Sequence, residues 1–276
     1  MKKTLFFLLF CGFILSCGKT DLPTPIGNVP PNSNLPSNPI VTTNPTENKT
    51  VELKGSIFVN GLPLLKRVDD SVNGITEYFY DESKREVRIT NSKSVISETR
   101  YKYIGDLKIE ANFTKNPNYI SPNPQYVFNT DPQYYEYDTQ NRIIVRTTAI
   151  SKNFYAYNDT DNTIQESVKS LIETNPQIRL ASGYKFNAKG NMIEFTQPDE
   201  LNEYVYDDKI KPNSFNSSSN SSYPGGLSKN NVLTAKRTGG WFGNSYATYT
   251  YTYNKYNLPL TSTSDKGDVI SYTYYE

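Results

Sequence analysis

The sequence predicts an all-β fold, an antiparallel meander of hairpin repeats curled into one large sheet or a barrel-like domain over residues 51–276. Three observations predict it. Pairs of aromatic residues with one residue between them recur along this stretch, and such side chains lie on one face of a strand. Asp or Asn and a short polar stretch follow most pairs, which is typical of a tight turn. The 23 tyrosines against 2 methionines favour strands with an amphipathic aromatic face.

Residues 1–16 are predicted to be a signal peptide. Lys2 and Lys3 form a short basic stretch, and residues 5–15 form an apolar core that is too short to span a bilayer as a helix. This order of a basic and then an apolar segment is typical of chains that are exported across a membrane.

Cys17 is predicted to carry a lipid. Residues 14–17 resemble a lipobox, the pattern read by the lipoprotein-processing peptidase, which implies cleavage after Ser16 and a diacylglyceryl thioether on Cys17. Two or more acyl chains give lasting attachment, so the predicted partner of this end is a lipid membrane. An ordinary secretory signal or an uncleaved anchor is the alternative. Cys11 lies in the discarded segment, so the mature chain would hold no free thiol.

Residues 17–50 are predicted to be the lipidated cysteine and a disordered linker. They are rich in Pro, Asn, Ser and Thr without apolar periodicity, and they cannot bury enough surface to offset the entropy of ordering. We expect a tether in the cell envelope, with the outer membrane as the predicted location. Gly18 stands where some bacteria place an Asp retention signal, and the choice between the periplasmic face and the cell surface stays open.

The repeat explains the predicted strands and turns. The first strand of each unit ends at the aromatic pair, and the Asp or Asn side chain bonds the backbone amides ahead. Asn141, Gly190 and Asn257 can adopt the positive φ that closes a short loop before an aliphatic strand, so each unit is a β-hairpin. Several units start 20 or 21 residues apart, which is typical of a repeat architecture whose units must stack. Complete copies occupy residues 78–81, 135–138, 155–158, 184–187, 204–207 and 251–254, and partial copies occupy 101–103 and 272–274.

The pattern Y-x-Y-D-x-x-G-R resembles the YD repeat of the Rhs class. Residues 206–210, 227–232, 251–254 and 258–259 are more specifically similar to a family of Gram-negative envelope lipoproteins with a domain of unknown function. That resemblance spans about residues 51–276 and implies a porin-like fold and no established activity. Most units here carry Asn where the repeat prefers Gly.

Two segments interrupt the repeats. Ile164, Val168, Leu171 and Ile172 fall at helical spacing, but a strand pair is the favoured prediction because the flanking units are hairpins. Residues 213–226 are an insertion rich in Asn and Ser, and we expect a mobile surface loop there.

Composition narrows the chemistry. The chain has no His, which removes the commonest general base and metal ligand. Removing Lys2 and Lys3 with the signal peptide leaves 27 basic against 28 acidic residues, a balance that does not favour nucleic acid. We therefore predict a non-enzymatic binding or scaffolding module without a cofactor, whose partner is a glycan or an envelope protein. The alternatives are a glycan hydrolase built on paired carboxylates and a small membrane pore.

The pore alternative makes its own demand on the sequence. A transmembrane barrel needs an apolar outer band about 25 Å tall, flanked by aromatic girdles. Many strands here alternate an aromatic residue with Lys, Glu or Thr, and no long apolar band is present in the sequence. We therefore predict a sheet or barrel that stands in water.

Asp159 and Asp161 are candidate calcium ligands. Residues 158–162 place oxygen donors at alternate positions, which is how calcium loops begin. The segment is not an EF-hand, because Ser170 stands at position twelve instead of Glu and Ile164 stands where Gly is needed. A decorated hairpin turn explains the same residues, and both interpretations stay open.

Trp241 and Phe242 are candidate ligand-binding residues. Gly239, Gly240 and Gly243 surround them and would present the two rings on a loop. Exposed aromatic rings of this kind suit stacking on a sugar or a peptide. In the alternative interpretation the two rings plug one end of the sheet.

Overall fold

A computed structural model describes residues 52–120, 130–214 and 228–276, and within these ranges the chain forms strands and no helices. The predicted signal peptide, Cys17 and the linker to residue 50 lie outside the described residues, as do residues 215–226 of the predicted insertion. The strands are β1 Phe58–Val59, β2 Leu62–Pro63, β3 Leu65–Asp70, β4 Gly74–Tyr80, β5 Glu86–Asn91, β6 Ile96–Ile104, β7 Leu107–Lys115, β8 Gln133–Tyr137, β9 Ile143–Thr147, β10 Ser151–Asn158, β11 Thr163–Ser170, β12 Ile178–Phe186, β13 Met192–Gln197, β14 Glu200–Ile210, β15 Asn230–Gly239, β16 Ser245–Tyr253, β17 Pro259–Ser264 and β18 Val269–Tyr274.

Strands β3 to β18 form one closed antiparallel barrel, which confirms the predicted meander. Each strand pairs with the next along the chain, and the last pairs with the first: Tyr274 lies opposite Leu65, and Tyr272 lies opposite Val68. The helical alternative for residues 164–172 is wrong, because Thr163–Ser170 is a strand that pairs with both of its neighbours.

The wall of the barrel has an aromatic inner face and a charged outer face. On β10, Ser151, Asn153 and Tyr155 are buried while Ala156 and Asn158 are exposed, as the two-residue period of a strand requires. The aromatic residues of the repeat point to the buried side, where Tyr155 packs in one cluster with Ile164 of β11 and Tyr184 of β12. The outer face carries ion pairs between neighbouring strands, such as Lys185 with Glu194.

The meander places its connections alternately at two ends of the barrel. The end that contains the turns after the aromatic pairs, from β4–β5 to β16–β17, is called the proximal end. The opposite end is called the distal end. Four proximal turns share one hydrogen-bond pattern. The first residue donates its N–H to the carbonyl of the fifth at 2.9 Å, and its side-chain oxygen accepts the N–H of that fifth residue. These turns start at Asp81, Asp138, Asn187 and Asn254.

The fourth residue of each of these turns has a positive φ. The predicted positive φ is confirmed at Asn141 (61°), Gly190 (79°) and Asn257 (60°). Lys84 adopts the same conformation at 62°, although a lysine side chain does not favour it.

Seven tyrosines near the proximal end hold the backbone at β-bulges. Each donates its hydroxyl, at 2.5 to 2.9 Å, to a carbonyl at the start of the preceding strand, next to a register shift. A bulge interrupts the ladder of backbone hydrogen bonds, so the tyrosine hydroxyl donates to a carbonyl that the neighbouring strand leaves without a backbone donor. On β12 the equivalent position is Phe186, which has no hydroxyl. The β10–β11 pairing beside it has no register shift, so no bulge carbonyl needs a donor there. The donors are Tyr80, Tyr103, Tyr137, Tyr157, Tyr206, Tyr251 and Tyr274.

The described chain enters the barrel at the proximal end. Leu53 donates its N–H to the carbonyl of Tyr80 at 2.8 Å, and Glu52 forms an ion pair with Arg88 at 2.5 Å. Asn213, after β14, donates to the Tyr80 hydroxyl at 2.6 Å and so joins the same end. The distal end therefore lies away from the first described residues.

Candidate functional site

Exposed apolar side chains are concentrated at the distal end. Among the described residues, the large exposed hydrophobic side chains lie in distal connections or within three residues of a distal strand end, except for Ile104, Val205 and Leu260. Single exposed hydrophobic residues are normal, but their concentration at one end of the barrel favours a site of interaction there. We call this set the distal rim. It comprises Val72, Ile120, Tyr134, Ile150, Leu171, Ile172, Ile178, Leu180, Trp241, Phe242, Tyr246 and Val269.

The β15–β16 connection presents its two aromatic rings on a tightly specified loop. Gly239, Gly240 and Gly243 have φ values of 81°, 71° and 67°, a region that favours glycine. A Cβ on Gly239 would lie 2.3 Å from the carbonyl oxygen of Asp199, so no other residue fits there without a backbone shift. The Gly240 N–H donates to that same carbonyl at 2.8 Å, which fixes the loop to the β13–β14 hairpin.

Trp241 and Phe242 are 83 and 67% exposed. The interpretation in which they plug one end of the sheet is therefore wrong. The Arg237 guanidinium lies 5.2 Å from the centre of the Phe242 ring, within the range of a cation–π contact that supports this ring. Their role in binding a ligand stays a prediction.

The β11–β12 hairpin supplies a second apolar group that the sequence did not indicate. Leu171 and Ile172 are exposed in its connection, and Ile178 and Leu180 are 61 and 63% exposed on β12. In sequence, Ile178 and Leu180 share the even positions of buried Tyr184, so strict alternation places them inside. A register shift between Glu166 and Ser167 on the facing strand inserts a bulge that turns both outward.

The candidate calcium residues lie in the proximal β10–β11 turn. Asp159 pairs with Arg142 at 2.7 Å, and Asp161 accepts a hydrogen bond from the Asn158 side chain at 2.8 Å. Asn162 completes the turn with a φ of 52°. Calcium would have to compete with Arg142 for Asp159. Within the ranges that the structure describes, no group of three or more Asp, Glu, His or Cys side chains is placed to hold a metal ion.

A buried polar network crosses the inner face at β9 to β12. Glu166 accepts hydrogen bonds from Asn153 at 2.7 Å and from the Tyr184 hydroxyl at 2.5 Å. The Arg146 guanidinium lies 3.7 Å from the same carboxylate. Both carboxylate oxygens therefore have partners, as a buried charge requires.

A second buried pair lies farther round the barrel. The Lys108 ammonium is 4.0 Å from Glu86 and 3.7 Å from the centre of the Tyr101 ring. Burial lowers the pKa of Lys108, and the Glu86 carboxylate opposes that shift. Asp81, the remaining buried carboxylate among the described residues, pairs with Arg85 at 2.7 Å.

No helix within the described stretches has the length and apolar character needed to cross a membrane.

No family model matches the chain, and no curated protein matches it. One similar solved structure is a porin-like protein from Bacteroides vulgatus ATCC 8482, with 10% identity and a TM-score of 0.43 over 77% of this chain and 99% of that one. Another is a porin-like protein from Bacteroides uniformis ATCC 8492, with 14% identity and a TM-score of 0.30 over 76% of this chain and 95% of that one. At these TM-scores neither likeness carries an argument about function. The resemblance to YD-repeat lipoproteins stays a prediction.

Proposed function

We propose that the chain is a lipid-anchored protein of the cell envelope whose barrel is a non-enzymatic binding module, with the distal rim as its binding surface. The observation that carries the proposal is the gathering of exposed apolar side chains at that one end, with Trp241 the most prominent of its aromatic rings. Such a surface costs solubility unless a partner covers it.

The proposed anchor and the proposed binding surface are compatible. The signal peptide, Cys17 and the linker would attach the protein to the outer membrane. The described chain enters at the proximal end, beside Tyr80, so its first residues and the distal rim lie at opposite ends of the barrel.

The non-enzymatic assignment rests on how the polar groups are used. Asp81, Glu86 and Glu166, the buried carboxylates of the described chain, each face an Arg or Lys within 4.0 Å. A glycan hydrolase needs one carboxyl group that is free to donate a proton and a second that attacks or activates water. These three carboxylates are held as structural pairs, and the chain has no His to replace them.

A membrane pore is the second candidate, and the closed barrel is the observation that favours it. The outer face argues against it. Lys236 pairs with Glu203 at 2.7 Å and Lys185 pairs with Glu194 at 2.9 Å between neighbouring strands, with side chains 38 to 56% exposed. An Arg or Lys on the lipid face costs roughly 2–4 kcal/mol at the bilayer midplane. The ion-paired wall is suited to water.

Replacement of both rim aromatics tests the proposed binding surface. The full-length chain is applied to arrays of glycans and of purified envelope proteins, with and without calcium. We expect Trp241→Ala combined with Phe242→Ala to weaken every specific interaction by at least about tenfold, because aromatic residues in the centre of an interface carry much of its energy.

Leu260→Ala is the matched control, since Leu260 is 41% exposed but lies outside the distal rim. The control should bind like the natural chain. Equal binding by the double variant and the natural chain would contradict the distal rim as the binding surface.

A further inference from the structure

Neighbouring hairpins at the distal end differ in height. Strand β13 ends at Gln197, and its pairing with β12 extends no farther than Gly183, which lies opposite Thr196. Strand β12 extends farther, to Ile178, where it pairs only with Lys169 of β11. The taller hairpin therefore rises over residues 178–181, about 13 Å of extended chain.

This difference leaves one side of β12 open. On the β11 side, residues 178–180 have partners, but on the β13 side no residue of the described ranges pairs with 178–181. A closed barrel removes sheet edges, and a short open edge is therefore a local exception here. Its backbone N–H and C=O groups are available at strand spacing.

The open edge is flanked by apolar side chains on two sides. Ile178 and Leu180 project from it on the outer face, turned there by the bulge at Ala181. Trp241 and Phe242 stand on the far side, three strand positions away from β12, which corresponds to about 14 Å. The loop that holds them is fixed to Asp199, in the short hairpin that forms the floor of the gap.

Natural edges are usually protected by Lys, by Pro or by inward charges. Arg179 lies on this edge, but its side chain pairs with Glu173 at 3.2 Å within the same hairpin. The bulge could have shielded the edge, yet it places Ile178 and Leu180 outside, where they cost solubility. An open strand edge flanked by exposed apolar side chains is typical of a strand-addition site.

We propose that the β12 edge at residues 178–181 binds an extended polypeptide segment of a partner protein as an added strand. The proposal rests on the proposed function and names the partner class for the distal rim. An extended backbone is the occupant because it alone offers alternating N–H and C=O groups in register with the edge, whereas the hydroxyls of a glycan do not. Apolar side chains of the added strand would lie beside Leu180 and towards Trp241.

The test uses the full-length chain in mild detergent and a defined probe. The probe is an end-capped, fluorescein-labelled peptide of seven alternating threonine and valine residues, measured by fluorescence anisotropy. A second peptide of the same sequence, N-methylated at every residue, has no backbone donors. We expect the second peptide to bind at least about tenfold more weakly, and hydrogen–deuterium exchange to slow at residues 178–181 when the first peptide binds.

Two variants accompany the peptides. Ile178→Lys combined with Leu180→Lys should weaken binding of the first peptide at least about tenfold, since inserted lysines protect edges. Val205→Lys, on the outer wall of β14, should bind like the natural chain, because Val205 is 57% exposed but lies away from the gap. Circular dichroism confirms that both variants are folded.

Three results would overturn the inference: no binding up to about 1 mM peptide, equal binding of the N-methylated peptide, or exchange protection located elsewhere. The array experiment with Trp241 and Phe242 separates this failure from failure of the proposed function. If those aromatics are needed for array binding and the peptide fails, the distal rim binds its partner without strand addition. If both fail, the distal rim is not a binding surface.

Discussion

Tyrosine hydroxyls have a structural task near the proximal end of this barrel. Each of the seven donors supplies a hydrogen bond to a carbonyl at a bulge, where the ladder is interrupted. The ring packs inside the wall while the hydroxyl serves the backbone, so one side chain meets two requirements. This accounts for an abundance of Tyr that apolar packing alone does not need.

Tyr137→Phe isolates the hydroxyl. Tyr137 donates to the carbonyl of Lys108 at 2.7 Å, and without that donor the carbonyl is left in a partly buried place. We expect the free energy of unfolding to fall by about 1–3 kcal/mol in urea denaturation. Tyr246→Phe, 56% exposed on the outer face, is the control and should change stability by less than about 0.5 kcal/mol. A loss at Tyr246 as large as that at Tyr137 would contradict this explanation.

Ionisation limits the same device at high pH. Burial raises the pKa of Tyr157 to about 12, and its hydroxyl donates to the carbonyl of Ile143 at 2.9 Å. Because the folded pKa lies above the ordinary value of 10.0, this stabilisation is complete below pH 10 and is lost as the pH rises through 12. The hydroxyl thus remains a donor over the range in which a free tyrosine ionises.

At the scale of the element, one turn is built in four places with different residues. Asp138 and Asn187 both accept the N–H of the residue four positions ahead, at 2.9 and 3.0 Å. Asp138 adds an ion pair with Arg142 at 2.7 Å that an asparagine cannot make. The neutral acceptor therefore builds the turn, and the charge adds to it.

Asp138→Asn and Asp138→Ala separate these two contributions. Burial raises the pKa of Asp138, but hydrogen bonds from Arg142 and Gln140 and the charge of Arg142 outweigh it, so the pKa lies below its ordinary 3.8. Its stabilisation is then complete above pH 3.8 and is lost as the pH falls through the lowered value. We expect Ala to lose about 1–3 kcal/mol at neutral pH and Asn to lose less.

Urea denaturation at neutral pH and near pH 3 checks both variants. The difference between the natural chain and Asp138→Asn should shrink below pH 3.8, because the carboxylate of the unfolded chain binds protons there more readily than the folded one, whose pKa is lowered. A difference that stays constant would show that the ion pair with Arg142 contributes nothing.

The hairpins could be predicted because the residues that determine each hairpin lie within about twenty consecutive positions. The aromatic pair marks the strand and Asn141 or Gly190 marks the turn, and both are local signals. The positive φ of Lys84 carries no such signal, because lysine does not favour that region. Trp241 and Phe242 could be found from their glycines, but their exposure is decided by contact with Asp199 of another hairpin.

The open edge of β12 could not be predicted. It depends on the difference in length between two neighbouring hairpins and on a bulge at Ala181, neither of which leaves a local pattern. The periodicity instead places Ile178 and Leu180 on the inner face beside Tyr184.

At the scale of the whole molecule, the charged side chains on the outer wall bear on whether the barrel is surrounded by water or by lipid. Its interstrand ion pairs include Arg67 with Glu77 at 3.8 Å and Lys102 with Glu110 at 3.0 Å. Individual surface pairs add little stability. Their importance here is that charged side chains favour water over hydrocarbon.

Deletion of residues 1–50 tests that assignment. We expect the remaining chain to stay monomeric without detergent, measured by size-exclusion chromatography with light scattering, and to give no conductance in planar bilayers. The full-length chain is the control and should need detergent, because its predicted acyl chains remain. Discrete conductance steps from the shortened chain would establish the pore instead.

Closure of the barrel by β18 against β3 sets a condition on how the molecule forms. The Val269 N–H donates to the Ser71 hydroxyl across a sequence separation of 198 residues. Strand β3 therefore cannot complete its pairing until β18 is available. Loop-closure entropy opposes such a contact until the intervening hairpins have shortened the path. If such a chain crosses a membrane starting from its N-terminus, a partly translocated chain lacks β18 and cannot close the barrel. The closed barrel then forms only after the C-terminal strand has crossed.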